Sequence, residues 1–215
     1  MGRGYSASYG LQKKAAAGDY LHGGGIPSAE GRLGADKYGK VIDSLAERHN
    51  VSNQRARLWV DAVNKWADGS SSHKQSQRSG KPDEVIEALS DFIENGPSYQ
   101  GEIVRVMTVP DSSVYRKGGK MTSDGSITSW TTPDNLQNVL NGFGDSSKGD
   151  VVVLHMSVTH GAADTRGVSY LSGIDHEILL AGGLDGKAKI TGSKTESRYD
   201  FFGDKVKVKH VNLKQ

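Results

Sequence analysis

The spacing of apolar positions changes character along this chain. Over residues 35–68, Val41, Ile42, Leu45, Ala46 and His49, and then Leu58, Trp59, Ala62, Val63 and Trp66, recur at the three-and-four spacing of amphipathic helices. Asn50-Val51-Ser52 marks the break between two helices, with Ser52 as the N-cap of the second. Trp59 and Trp66 fall seven apart on one face and read as a core stripe. Residues 69–81 carry no apolar period and read as a polar, basic loop. Pro82 opens a third helix over 83–93, with acids in its first turn where the helix dipole favours them, and Asn95-Gly96-Pro97 stops it.

From Tyr99 the pattern is that of strands: 101–109, 126–132, 150–158, 174–180, 187–190 and 205–213. Thr132-Pro133-Asp134 opens a short helix that runs through Leu140, and Gly182-Gly183 and Asp185-Gly186 mark tight turns between the later strands. Helices first and strands after is an α+β order, not an alternating one. Residues 1–34, rich in Gly, Ser, Ala and Tyr, read as a flexible arm. Residues 35–215 read as one domain, helical over 35–97 and β-rich over 98–215.

Composition narrows the classes. A formal net charge of +2 over 215 residues argues against a chain built to coat nucleic acid or an anionic membrane. There is no cysteine, hence no disulfide framework, thiolate metal site or Cys nucleophile. No apolar run approaches the ~20 residues of a membrane span, and the N-terminus lacks the apolar core of a signal peptide. A cytoplasmic protein is expected, in a host cytosol or on a virion if the source is a phage or toxin. His155, His160 and His176 match no zinc spacing, so no metal is called for.

Three stretches carry chemistry. Arg105 lies mid-strand with Ile103 and Met107 on its face, a costly place for a guanidinium unless it forms a cross-strand salt bridge or grips an anion such as phosphate. Ser129 and Thr131 share a face of the next strand. Gly173-Ile174-Asp175-His176-Glu177 places two carboxylates on one face at a strand mouth, behind a Gly-rich loop over 160–173 expected to be mobile. Tyr170, in that loop, reads either as a contact for an acceptor or as an ordinary exposed loop tyrosine.

In this order, Arg105, Ser129-Trp130-Thr131 and Asp175-His176-Glu177 resemble the ADP-ribosyltransferase family, in the class marked by Arg, Ser-Thr-Ser and Glu-x-Glu. The resemblance covers roughly residues 99–213, and Tyr99-Gln100-Gly101 and Glu177-Ile178-Leu179-Leu180 fit the same pattern. Size and the helical start are most like the phage and bacterial-toxin branches. The resemblance implies a split mixed β-sheet core with N-terminal helices, and NAD as the substrate. It implies that Arg105 holds the NAD phosphates, that Ser129 braces the nicotinamide-ribose end, and that Glu177 takes the ribose 2′-hydroxyl. Asp175 would orient or deprotonate an acceptor, and Val106 and Thr131 would line the NAD site, Val106 through its backbone. Asp175 replaces the usual glutamate and is one methylene shorter. Trp130 stands where a small residue is usual, either stacking on a ligand or packing. The implied activity is mono-ADP-ribosyl transfer to a target protein, arginine among the candidate acceptors, with release of nicotinamide. The rivals are an NAD glycohydrolase and a non-catalytic partner-binding module.

Overall fold

The structure is a computed structural model that describes residues 28–69, 71–121, 123–141, 149–171, 176–199 and 205–215. Asp175, and residues 1–27 of the expected arm, lie outside the described residues. Helix α1 (Ala29–Leu33) is capped by Ser28, whose side chain accepts from Gly31 N. Helices α2 (Ala35–His49) and α3 (Asn53–Asp68) meet at Asn50, whose left-handed φ of 51° turns the chain, and Ser52 caps α3 by accepting from Arg55 N. Asp83 caps α5 (Glu84–Asn95), accepting from Ile86 N at 3.0 Å.

Between them stands a helix that the apolar pattern does not announce. Residues 69–81 are not simply a loop, because α4 (Ser71–Arg78) occupies most of them. It is held by what it touches and not by an apolar stripe. Gln77 Oε1 accepts from Ile127 N at 2.9 Å, and Arg78 pairs with Asp124. The turn at Gly182 comes so close that an added Cβ would lie 2.3 Å from Gly125 O and 3.1 Å from Gln77, so only glycine fits there.

The strands are β1 (Gly101–Val109), β2 (Thr128–Thr131), β3 (Asp150–Val158), β4 (Ala162–Asp164), β5 (Glu177–Leu180), β6 (Lys189–Tyr199) and β7 (Lys205–Lys214), with α6 (Leu136–Asn141) between β2 and β3. They form a mixed sheet in the order β4-β5-β2-β1-β3-β7-β6, with only β3 and β7 parallel. The sheet is split. β1 pairs with β3 over nine residue pairs and β2 with β5 over four, yet β1 and β2 share only Val104↔Thr131. Two half-sheets therefore diverge from one junction.

The pleat sorts side chains into three cores. Helices α2, α3 and α5 pack Leu45, Trp59, Trp66, Leu89 and Phe92 onto Ile127, Ala163 and Leu179 of the β4-β5-β2 half. Val104, Val106, Val151, Val153 and Val208 meet Leu140 of α6 on one face of the other half. Ile103, Trp130, Leu154, Ile178 and Leu180 join both halves on the opposite face. Strand β5 begins at Glu177, shorter than the 174–180 strand expected. β6 runs to Tyr199, well past the expected Ile190. No helix among the described residues is long and apolar enough to cross a membrane.

Candidate active site

The single junction of the half-sheets fixes where the candidate residues fall. Val104, Thr131 and Glu177 form one row across β1, β2 and β5, so Val104 and Glu177 lie two strand spacings apart, about 10 Å. Arg105 is the next residue along β1, and Ser129 lies two residues along β2 from Thr131, paired with Leu179. Four of the six site residues expected from the sequence thus lie in or within two residues of the junction row, with the Arg105 side chain leaving the opposite face of β1 from Val104.

Glu177 is buried, at 4% exposure. Its backbone is pinned from two sides. Thr165 donates to the Glu177 carbonyl through both N, at 3.1 Å, and Oγ1, at 2.9 Å. Thr131 Oγ1 donates to the neighbouring His176 carbonyl at 3.3 Å and accepts from Asn135 Nδ2 at 3.0 Å. The Thr131 hydroxyl therefore braces the turn into Glu177. His176 has a left-handed φ of 43°, an uncommon state for a residue with a Cβ. Strand alternation does not extend back through His176, so the shared face expected for Asp175 and Glu177 does not follow from a pleat. The His176 ring lies 3.5 Å from Asp134.

Arg105 is paired, as its place on an apolar face demands, but not across the strands. Its Nη1 lies 3.5 Å from Oδ2 of Asp185, which is 3% exposed in the short 3-10 turn Asp185–Lys187. Burial pulls the Arg105 pKa down, while Asp185, Asp124 and Tyr115 push it back up. From so high an ordinary value the guanidinium stays cationic. Asp185 reads in the sequence as a turn residue only, and its pairing with Arg105 has no local signature.

Ser129 Oγ accepts from Trp66 Nε1 at 3.0 Å. Trp66 is therefore core, as its spacing implies, and also the helical part's contact with the site. Trp130 packs at 3% exposure, with its Nε1 donating to Thr128 Oγ1, which settles it as a core side chain and not a ligand platform. The Val106 side chain packs in the α6-facing core, leaving only its backbone for a ligand.

Lys74, on α4, is a further candidate with no signature in the sequence. Its Nζ sits 5.1 Å from the centroid of the Trp66 ring, a cation–π arrangement on the indole that bonds Ser129. Burial pulls its pKa down to about 8, Arg105 acting in the same direction and Glu177 and Asp124 against it. The amine therefore feels both Arg105 and Glu177 from across the opening. A polar helix gives no apolar period, and a lone lysine on it gives no motif, so nothing in the sequence singles it out.

The loop ahead of Asp175 is not the mobile segment expected, as far as Leu171. Thr165, Val168 and Ser169 are at most 2% exposed. Tyr170 is not turned out to an acceptor: its hydroxyl donates to Asp68 Oδ1 at 2.8 Å and its ring lies under Arg32.

No protein-family model and no curated protein matches the sequence. Solved structures do resemble it. The ADP-ribosyltransferase Vis of Vibrio splendidus, in complex with agmatine, aligns over 85% of this chain and 82% of its own at 14% identity and a TM-score of 0.54. The enzymatic component C2-I of the C2 toxin from Clostridium botulinum aligns over 84% of this chain at 15% identity and a TM-score of 0.55. This chain spans only 46% of C2-I. At such identities the likeness is one of fold. With its helical start and its sheet split at one residue pair, the chain has the ADP-ribosyltransferase fold.

Proposed function

We propose that the opening between the half-sheets binds NAD and transfers its ADP-ribose to a side chain of a target protein. The observation that carries this reading is the placement of a buried carboxylate, Glu177, in the junction row, with the Lys74 amine within electrostatic reach of both Glu177 and Arg105. A dinucleotide presents a doubly anionic pyrophosphate and a ribose that must become cationic, and the opening holds both complements.

The chemistry balances on these groups. The bond between ribose C1′ and the nicotinamide nitrogen breaks, its electron pair leaves with nicotinamide, and C1′ takes on oxocarbenium character. Glu177, accepting from the ribose 2′-hydroxyl, stabilises that charge as it grows. Arg105, oriented by Asp185, holds the pyrophosphate while nicotinamide departs. The acceptor nitrogen then bonds C1′ and its proton passes to Asp175. Agmatine, bound in Vis, carries the guanidinium of an arginine side chain, and an arginine acceptor fits the same chemistry here.

The direct test incubates the protein with NAD labelled in its adenosine half and a cell lysate, then locates the label by mass spectrometry. Label on arginine side chains with free nicotinamide supports the reading. Nicotinamide with no labelled protein points to hydrolysis, and NAD left intact points to a binding module. An Asp175→Ala variant should lose transfer to protein by at least about tenfold more than it loses nicotinamide release. Equal loss of both would place Asp175 on NAD and not on the acceptor.

Lys74 supplies a pH signature. Its amine is charged below about pH 8 and neutral above, and a bound pyrophosphate favours the charged form. NAD affinity should therefore fall as pH rises through 8. In a Lys74→Met protein affinity should be lower at pH 7 and show no step there. A step that survives in Lys74→Met assigns it to another group.

A further inference from the structure

Trp66 is buried on α3, at 1% exposure, in the stripe that packs onto Ile127 and Leu179. A phenylalanine or leucine would serve that stripe by its apolar surface. An indole also brings one N–H, which donates and never accepts, and which needs a partner when buried. The three tryptophans find three partners. Trp59 Nε1 donates to Asp91 Oδ2 at 2.7 Å, and Trp130 Nε1 to Thr128 Oγ1 at 2.9 Å. Trp66, alone of the three, donates to a candidate site residue, Ser129 Oγ, at 3.0 Å.

The direction of that bond decides what Ser129 can do. A serine hydroxyl has one hydrogen and two lone pairs. The indole fills one lone pair and can take no hydrogen back, so the Ser129 proton is left for another acceptor. Ser129 is the half-buried residue of β2, between the buried Thr128 and Trp130. It shares a face with Thr131, and Thr131 pairs with Glu177. Glu177 is therefore its diagonal neighbour on that face, with Cβ atoms about 7–8 Å apart. At that spacing a hydroxyl and a carboxylate can both reach one ligand group between them. The face of the same indole carries the Lys74 amine, 5.1 Å from the ring centroid. Edge and face of one ring thus each hold a polar group at the opening.

We infer that Trp66 is a positioning residue: its N–H turns the Ser129 hydroxyl into a donor aimed at the nicotinamide ribose beside Glu177, while its ring face seats Lys74. The inference rests on the NAD reading for the identity of the ligand. The bond between Trp66 and Ser129 does not. Trp66→Phe is the clean probe, since a phenyl keeps an aromatic face for Lys74 and removes the N–H. Without the indole the Ser129 hydroxyl rotates freely, and its proton is no longer directed.

The test is a double-mutant cycle on the full chain, with kcat and KM for nicotinamide release measured in the parent, Trp66→Phe, Ser129→Ala and the double variant. Trp66→Phe should lower kcat by about tenfold and change KM by less than about twofold. In the Ser129→Ala background the same substitution should cost less than about twofold in kcat, because both act through one hydroxyl. Equal losses in the two backgrounds, or an unchanged kcat in a folded Trp66→Phe protein, would reduce Trp66 to a packing residue and overturn the inference. If Trp66→Phe fails to fold, NMR of the Ser129→Ala protein decides. The assigned Trp66 indole N–H resonance should move upfield as its acceptor is lost, with that of Trp59, bonded to Asp91, in place. A Trp66 resonance that does not move overturns the inference. A folded parent that releases no nicotinamide ends the NAD reading and the inference's functional half with it, whereas additive losses in an active parent end the inference alone.

Discussion

A Glu177→Gln protein should bind NAD nearly as the parent does and turn it over at least about a hundredfold more slowly, the loss seen when one preorganised electrostatic partner is removed. The amide keeps the shape and a hydrogen-bond acceptor for the 2′-hydroxyl but removes the charge. That charge matters only as the ribose becomes cationic, so the loss falls on kcat and not on affinity. The fold should hold. At 4% exposure the carboxylate is penalised by burial and drawn by Lys74, and the amide loses both effects together. The backbone that positions it is gripped through carbonyls at 176 and 177 by Thr131 and Thr165, bonds that the substitution does not touch. A melting curve beside NAD titration checks both halves, with a shift of no more than about 4 °C expected.

Arg105→Lys should fold and bind NAD roughly tenfold to a hundredfold more weakly, since hydrogen bonds to charged groups contribute about 1.5–3 kcal/mol. Lysine keeps a charge for the buried Asp185 but replaces a planar fork with a single point. Arg105→Ala is the poorer probe. It would strand Asp185, 3% exposed, without its cation, and breaking a buried pair in this way costs about 3–5 kcal/mol. Lost affinity would then be confounded with lost fold. Calorimetric titration of NAD onto the folded Lys variant checks the assignment, and unchanged affinity would remove Arg105 from the pyrophosphate.

Much of this architecture is legible in the sequence, and the exceptions have physical causes. Helices α2, α3 and α5 bury one face each, so their apolar period is strong, and Ser52 caps where helix-start chemistry puts it, whereas Asp83, expected as the first residue of its helix, is the cap before it. β1 and β3 match the apolar pattern end to end, because both lie inside the sheet. β6 is an edge strand, and from Thr191 to Tyr199 its residues are exposed or half-buried, so no alternation betrays it. α4 is polar all round and is held by Gln77 and Arg78 against a turn fifty residues away, a long-range contact that leaves no local period.

The same division runs through the site. Arg105, Ser129, Thr131 and Glu177 stand out as candidates because charged or hydroxyl residues on otherwise apolar strands are anomalies, and their order forms a pattern. Lys74 and Asp185 do not. Each looks ordinary in its own segment and is singled out only by what folds against it: an indole and a guanidinium. Strand alternation in the sequence puts Asp175 and Glu177 on one face, and the left-handed His176 between them breaks that alternation.

The most direct measurement is nicotinamide release from NAD by the purified protein, run beside Glu177→Gln at saturating NAD and equal folded concentration. The account predicts steady release by the parent and a fall of about a hundredfold or more in the variant, with NAD binding retained. Equal rates in the two proteins, or no release by a folded parent that binds NAD, would contradict it, and the opening between the half-sheets would then be a binding cleft and not a catalytic one.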